Sequence, residues 1–524
     1  MINRTITPQY RIIYNWDGAP HFYSEYPQSV AEFVDKTFAP LTGTQVDALF
    51  WSMGEHEATW PSTSLSVIGD STNRQYTSVR EMRHVEGIRA AFERGDNPYA
   101  EMIDYGHQNN IDVWASIRMN DNHFWNIQDL QTMQTTVTGG LTELRKQHPE
   151  WCLGDDAPNW CTTSWNMAIP EVREHKLQLI EEACRIAQWD GVELDWQRHA
   201  FHLPRNNEYR LRYALTDLQR AVREMTDRIS EERGKPFHVA VRVGATLEAC
   251  RRIGYDIPVW IGDGLCDIVI GGGNSGTDPC FETEAFLGIS ENTNVRVYPG
   301  YDFDGRQAAN RLIPHNEWRD RWFAAMSQGH LSRGADGIYC FNWHANETMR
   351  SSSLSTMGSM TTLKNQDKAY TAIHRSINKS PLREDSERDD RIYGEVPVTL
   401  YRSLTGEGPI FRIPIYDDAA SESQQGNLDR VQLLIEIEHF SPTADKLEVR
   451  LDGQTLPQPL VRNAAGEDPH NPADVDENSW LVWDLSPSQS SKGTHEIGIS
   501  LINRDDRIRM PLVVNNVEFW ITYR

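Results

Sequence analysis

The sequence has few of the features that mark membrane or exported proteins. No window stays apolar over the roughly 18 residues that a membrane-spanning helix needs. The start, Met1 to Thr5, lacks the basic segment and apolar run of an export signal. We therefore expect a soluble protein without a membrane partner, cytoplasmic as the sequence stands, or periplasmic or secreted if an export segment has been removed.

Cysteine is also scarce, with seven residues, an odd number without regular spacing. This excludes a dense disulfide framework. Cys152 and Cys161 are close enough in sequence to pair across a loop. The others in apolar runs are expected to be packed thiols, namely Cys184, Cys250, Cys266 and Cys340.

Basic residues are outnumbered, 51 Lys and Arg against 75 Asp and Glu, which gives a formal charge of −24. Nucleic acids and anionic membranes need clustered positive charge, so we expect neither as a partner. An anionic polymer would require a local basic pocket. The 17 Trp and 18 Tyr include rings that could stack on sugars, although core packing accounts for most of them.

Short apolar runs alternate with amphipathic stretches as far as about Asn378, which predicts strand–helix units. The helices include 171–188 and 207–233. Eight such units favour a (β/α)8 barrel over an open sheet, within an α/β fold class. The predicted strands are Arg11 to Asp17, Val46 to Met53, Ile111 to Asn120, Gly191 to Gln197, Phe237 to Val243, Asp267 to Gly271, Val295 to Asp302 and Gly337 to Trp343.

The composition changes after Pro381, where a charged segment is followed by strand-like runs with little helix. We predict a barrel domain at 1–380, a charged linker at 381–394, and a smaller all-β sandwich, jelly-roll-like, at 395–524. The sandwich could bind carbohydrate or support the barrel, and support is the favoured role. Its predicted strands are 397–401, 410–416, 431–439, 446–451, 480–485, 495–501 and 513–523.

The fourth predicted strand places carboxylates in an otherwise apolar run. Because side chains alternate along a strand, Glu193, Asp195 and Gln197 share the face opposite Val192 and Leu194. Buried carboxylates are rare unless they are paired or used, and two close ones push one pKa upward. This pattern favours a catalytic acid pair, with a structural ion pair to a nearby arginine as the alternative.

Polar residues also follow most of the other predicted strands, at the end where barrel active sites lie. Long insertions such as 120–170 usually build the substrate cleft. The predicted catalytic residues are Glu193, Asp195 and Asp302. The predicted substrate-binding residues are Asp17, Trp51, Arg118, Asn120, Asp121, His123, Arg198, His199, Arg242, Tyr298, Asn342 and Trp343.

Acid pairs cleave glycosidic bonds when one protonates the leaving oxygen and the other attacks the anomeric carbon or activates water. Either Glu193 or Asp195 could donate the proton, with Asp302 as nucleophile or base. Histidines near the mouth could instead bind a metal, but His199-Ala200-Phe201-His202 matches no ligand motif. We expect no metal and no cofactor.

Several segments together resemble the family 10-like glycosyl hydrolases, bacterial barrel proteins to which an action on polysaccharides is ascribed. The resemblance covers about residues 10 to 378 and implies a glycosidase barrel. It rests on the segments 115–123, 148–151, 170–173, 190–195 and 334–339. The fourth strand is also similar to that of family 18 chitinases, but Gln197 stands where that family has its catalytic Glu.

The sequence thus predicts a glycoside hydrolase acting on a poly- or oligosaccharide, with uronate or sulfated sugars suggested by Arg118, Arg198 and Arg242. Three alternatives stay open. A polysaccharide lyase would use Tyr298 or His123 as base, a non-catalytic carbohydrate-binding protein would explain Gln197, and a metal-dependent hydrolase would use the histidines. The sugar, the linkage, the anomeric outcome and the oligomeric state are not predicted.

Overall fold

The computed structural model describes residues 6–16, 29–54, 56–272, 281–302, 312–343, 347–373, 395–404, 406–463 and 478–524. The chain forms two compact units. The first comprises Met1–Asp304, Gly334–Ser355 and Ser380–Asp390, and the second comprises Gly305–Arg333, Thr356–Lys379 and Arg391–Arg524. Among the described helices, none is both long and apolar enough to cross a membrane.

Eight parallel strands of the first unit close into a barrel in chain order, and β8 pairs with β1. The predicted (β/α)8 barrel is confirmed, with strand ends within two residues of those expected. The strands are β1 (Ile12–Trp16), β2 (Val46–Ser52), β3 (Asp112–Arg118), β4 (Gly191–Asp195), β5 (His238–Val243), β6 (Ile268–Gly271), β7 (Arg296–Asp302) and β8 (Ile338–Phe341).

Inward-facing side chains fill the barrel, so that it is a packed core rather than a pore. Alternation along each strand selects these residues, and most are aliphatic or aromatic. Each large side chain buried in this way stabilises the fold by roughly 1.5–3 kcal/mol. The cluster comprises Tyr10, Ile13, Ala48, Phe50, Trp114, Ala240, Ile268, Ile270, Tyr298, Tyr339 and Phe341.

Helices connect the strands, and several of them begin at side-chain caps. Ser29 forms a capping box with Glu32 at α1, and Asn97 accepts two backbone N–H bonds before Pro98 at α3. The helices are α1 (Val30–Phe38), α2 (Val79–Glu93), α3 (Pro98–Gln108), α4 (Leu130–Thr135), α5 (Glu143–Gln147), α6 (Pro170–Arg185), α7 (Glu208–Leu211), α8 (Tyr213–Arg233), α9 (Leu247–Ile253), α10 (Ile257–Gly262), α11 (Thr283–Ser290), α12 (His315–Ser332), α13 (Glu347–Ser351), α14 (Ser353–Thr356), α15 (Met360–Leu363) and α16 (Ala419–Gln424).

The insertion after β3 folds into α4, α5 and three 3₁₀ turns at Pro149–Trp151, Gly154–Asp156 and Asn159–Cys161. Cys152 and Cys161 are both buried and no disulfide joins them, so the pairing considered for them is not formed. Cys152 instead contacts Met133, with 3.9 Å between the two sulfur atoms.

The second unit contains two antiparallel sheets that share an apolar core, which confirms the predicted sandwich. One sheet has the order β10-β18-β12-β16-β15, with β9 also paired to β18, and the other has the order β11-β17-β13-β14. The strands are β9 (Lys368–Thr371), β10 (Val398–Leu400), β11 (Ile410–Ile415), β12 (Leu428–Glu438), β13 (Asp445–Leu451), β14 (Gln454–Thr455), β15 (Leu460–Asn463), β16 (Asn478–Leu485), β17 (Gly493–Arg504) and β18 (Leu512–Tyr523).

Buried polar contacts join α12 and β9 to this sandwich. Trp318 of α12 donates its indole N–H to Glu518 Oε2 on β18, at 3.2 Å. Lys368 of β9 is fully buried and lies 3.0 Å from Asp417 Oδ1. Burial lowers the pKa of Lys368, while Asp417 favours its charged form. Both segments therefore belong to the second unit, although they fall within residues 1–380. The linker predicted at 381–394 lies outside the described residues.

Candidate active site

Glu193 lies on the inward face of β4 and is fully buried. Its Oε2 accepts hydrogen bonds from Ser116 Oγ at 2.5 Å and Asn15 Nδ2 at 3.1 Å, and its Oε1 accepts one from Tyr339 OH at 2.6 Å. Burial and the charge of Asp195 raise the pKa of Glu193 to about 7, against the opposing effect of the hydrogen bonds. Glu193 therefore retains a proton up to near neutral pH, and both of its carboxyl oxygens are hydrogen-bonded to side chains of the barrel.

Asp195 follows two residues later on the same face and is also fully buried. Its Oδ1 accepts from the backbone N–H of Gln197 at 3.1 Å, from that of Arg198 at 2.9 Å, and from Arg242 Nη1 at 2.8 Å. Its Oδ2 has no hydrogen-bond partner among the described residues. The guanidinium and two N–H groups stabilise a carboxylate at Oδ1, while Oδ2 is buried and its hydrogen-bonding capacity is unused.

Three arginines surround this carboxylate. Strand register sets Arg118 of β3 and Arg242 of β5 directly beside Asp195. The guanidinium carbons of Arg118, Arg198 and Arg242 lie 6.0, 5.9 and 3.6 Å from the ring centroid of Phe341. The expected gathering of arginines is therefore present in the structure, and Arg242 has a cation–π contact with Phe341.

Asp121, just beyond β3, connects the arginines to two histidines. Its Oδ2 lies 2.8 Å from Arg118 Nη1, and its Oδ1 lies 2.9 Å from Nδ1 of both His123 and His199. Burial alone would raise the pKa of Asp121, but Arg118 and the histidines hold that pKa well below its usual value. Burial lowers the pKa of His199 to about 3. Asp121 is thus an ionised centre with positive and neutral donors around it.

Asp121, His123 and His199 lie close enough together to hold a metal, because their possible ligand atoms are within 4.8 Å of one another. The neighbours of His123 favour hydrogen bonding instead. Arg198 Nη2 lies 3.1 Å from His123 Nε2. A guanidinium can only donate, so Nε2 is the acceptor and a neutral His123 carries its proton on Nδ1, facing Asp121. A metal at Nδ1 would have to displace that proton.

Two of the ten described non-glycine residues with positive φ angles lie in this region. His199 and Asn342 have positive φ angles of 53° and 52°. Such conformations are uncommon outside glycine and cluster at functional sites. Asn342 Oδ1 accepts from Arg118 Nη2 at 3.2 Å. Asp302 ends β7 beside Phe341 in the strand register, and Asp17 lies outside the described residues.

Four of the predicted binding residues are placed differently from the sequence expectation. Asn120 is fully buried and clamps the insertion, with hydrogen bonds to the backbone of Trp165 and Phe201. Tyr298 accepts from the backbone N–H of Tyr10, ahead of β1 and so at the opposite end of the barrel from the mouth. Trp343 is fully buried and donates to Tyr301 O at 2.9 Å.

Trp51 is the fourth of these residues. It packs edge-on against Phe33 of α1 and is only 3% exposed. It lines a cavity of about 280 Å³ next to α2, together with Met53, Val85 and Tyr99. The ring therefore faces outward from the barrel wall, because odd-numbered residues of β2 point away from the interior that holds Ala48 and Phe50.

Four residues that contact or extend this site were not predicted. Asn15, Ser116 and Tyr339 hold Glu193, and strand alternation at the level of Glu193 could have indicated the latter two. Trp125 lies beside His123, with ring centroids 6.3 Å apart and planes at 18°. An indole inside the polar run Asp121 to Asn126 was the available signal.

No known family model matches the sequence, and no curated protein matches it. Solved structures with a similar fold include an Anoxybacillus alpha-amylase, at 10% identity over 94% of this chain and 98% of that one, with a TM-score of 0.36. A Paenibacillus cycloisomaltooligosaccharide glucanotransferase is 10% identical, with a TM-score of 0.34, and a Geobacillus stearothermophilus GH36 alpha-galactosidase is 9% identical, with a TM-score of 0.36. These two matches span 97% and 95% of this chain but only 57% and 56% of the other two chains. Likenesses this weak carry no argument about function.

Proposed function

We propose that the protein is a glycoside hydrolase whose active site lies at the C-terminal mouth of the barrel. The main support is the pair of buried carboxylates on β4. Glu193 has a pKa of about 7, while Asp195 is ion-paired to Arg242 and has an unoccupied Oδ2. Glycosidic cleavage needs an ionised carboxylate at the scissile bond. Asp195 supplies that carboxylate, and the raised pKa of Glu193 makes Asp195 the single negative charge of the pair near neutral pH.

The contacts favour Asp195 over Glu193 as the carboxylate that meets the substrate. Both oxygens of Glu193 accept hydrogen bonds from protein side chains. Asp195 has a free oxygen, and its charge is stabilised by Arg242. An ionised carboxylate attacks the anomeric carbon or activates water, so Asp302 across the barrel would supply the proton. This reverses the roles first expected for Asp195 and Asp302, and makes Glu193 a positioning residue.

The substrate class we propose is a poly- or oligosaccharide with a carboxylate or sulfate group. Arg118, Arg198 and Arg242 converge on Phe341 in a chain whose formal charge is −24. Asp195 and Asp121 offset two of these three charges, and the remaining positive charge attracts an anionic group through charge complementarity. Raised salt should weaken the binding of such a substrate, because screening acts on this attraction.

Product analysis by mass spectrometry and proton NMR over neutral, uronate-containing and sulfated glycans tests the proposal. Asp195→Asn should lower kcat by at least about 10²- to 10⁴-fold, the usual range for loss of a general base, and a nucleophile would be lost as well if Asp195 attacks the anomeric carbon directly. Asp47→Asn is the matched control, because Asp47 lies on β2 in an exposed pair with Arg11. The anomer formed first decides between retention and inversion.

Three results would contradict this assignment. Unsaturated products would indicate a lyase with His123 as the remaining candidate base. Binding without products would indicate a recognition protein. Activity that survives Asp195→Asn would place the chemistry elsewhere.

A further inference from the structure

Trp125 differs in exposure from the other tryptophans of the chain. All 17 lie within the described residues, and the other 16 are buried or half-buried. Trp125 is 49% exposed. Exposure of one apolar ring is ordinary on a protein surface, so a binding role for Trp125 depends on the groups that surround it.

The groups around Trp125 are polar and joined by hydrogen bonds. Its ring lies nearly parallel to that of His123, whose side chain is 43% exposed. His123 is held on one side by Asp121 Oδ1 at 2.9 Å and on the other by Arg198 Nη2 at 3.1 Å. The result is an aromatic surface of two rings with a guanidinium along one edge.

A short series of contacts connects this surface with the proposed reacting carboxylate. The backbone N–H of Arg198 donates to Asp195 Oδ1 at 2.9 Å, while the guanidinium of the same residue contacts His123 Nε2. Arg198 therefore spans the distance between Asp195 and the ring of His123, next to Trp125. A sugar chain with its cleaved bond at Asp195 could place a neighbouring unit over these rings.

We propose that Trp125 is a sugar-stacking residue that binds one pyranose unit of the substrate, with Arg198 contacting a carboxylate or sulfate on that unit. The flat C–H face of a pyranose ring packs on the indole, and the anionic group pairs with the guanidinium. Trp125 takes the role that the sequence suggested for Trp51 and Trp343, both of which are buried. This inference rests on the proposed function.

Binding is best measured in the Asp195→Asn variant labelled with 5-fluorotryptophan, so that no bond is cleaved during titration. The ¹⁹F signal that disappears in Trp125→Phe identifies the residue. Titration with uronate-containing and sulfated oligosaccharides should shift that signal. The Trp125→Ala change should weaken binding about tenfold, as for truncation of one aromatic anchor, and Trp125→Phe should retain most of the affinity.

The otherwise wild-type enzyme provides a second readout. Trp125→Ala should raise KM about tenfold and leave kcat within about twofold, because stacking on a remote unit is equal in the ground and transition states. Tyr213→Ala is the control, since Tyr213 is 55% exposed on α8. Equal glycan affinity in Trp125→Ala, or an unmoved Trp125 signal while glycan binds, overturns this inference alone. Failure of every glycan to bind overturns the proposed function with it.

Discussion

Replacing Arg242 with methionine is expected to lower the free energy of unfolding of the barrel by about 3–5 kcal/mol. Arg242 is 2% exposed and lies 2.8 Å from Asp195, which is fully buried. Removal of one partner of a buried ion pair leaves the other charge without compensation, and costs of this size are usual. The contact with the Phe341 ring, 3.6 Å from the guanidinium, is lost as well.

Urea unfolding followed by tryptophan fluorescence measures this loss, and an exposed pair in the same barrel calibrates it. Arg11 and Asp47 lie 2.7 Å apart, but the Arg11 side chain is 52% exposed. Arg11→Met should therefore cost no more than about 1 kcal/mol. The double variant Arg242→Met with Asp195→Asn should regain part of the loss, because the orphaned charge is gone. Equal costs for the two arginine variants would refute the reasoning.

Three further outcomes are expected. The pKa of Glu193 is raised from 4.5 to about 7, so between these pH values only the folded state holds the proton. The contribution of Glu193 to the free energy of unfolding should therefore fall by about 3 kcal/mol as pH rises from 4.5 to about 7. Urea unfolding at these two pH values measures the fall, and Glu193→Gln should abolish it. Arg198→Met should remove the donor to Nε2 and so weaken the preference of His123 for the Nδ1–H tautomer, and an unchanged ¹⁵N NMR signature would contradict the assignment. Reductant should leave the melting temperature unchanged, because no disulfide joins Cys152 to Cys161; a disulfide there would contribute about 2–4 kcal/mol.

The barrel could be predicted because each of its strands is a short apolar run that period-two alternation identifies. The assignment of α12 and β9 to the second unit could not be predicted from the sequence. Helical periodicity shows that a face is buried but not which sheet covers it. Lys368 opens β9 with a charge, and its partner Asp417 is far away in sequence, so nothing local marks this residue as buried.

The candidate site was predictable where register alone decides position. Parallel strands in a barrel bring their C-terminal ends together, which placed Arg118 and Arg242 beside Asp195. Tyr298 was expected at the mouth but lies near the opposite end of the barrel, because of its position along β7. It precedes Asp302 by four residues on β7, so it lies roughly 13 Å further from the mouth at about 3.3 Å per residue. The exposure of Trp125 depends on the path of a loop, which no periodic pattern encodes.

The residues inside the barrel become more polar and then charged toward the mouth. This change distinguishes residues that hold the structure in place from those that could react. The interior near Tyr298 and Trp114 is mainly aromatic and aliphatic. At the level of Glu193 the polar groups are neutral or carry a raised pKa, and the contacts of the Glu193 carboxylate are closed. At the level of Asp195 the groups are charged, and one carboxylate oxygen is buried without a hydrogen-bond partner among the described residues. Buried charge is costly unless it is compensated, so the protein maintains it where a ligand can meet it. This difference is what the proposed function rests on when it assigns the reaction to Asp195 and a positioning role to Glu193.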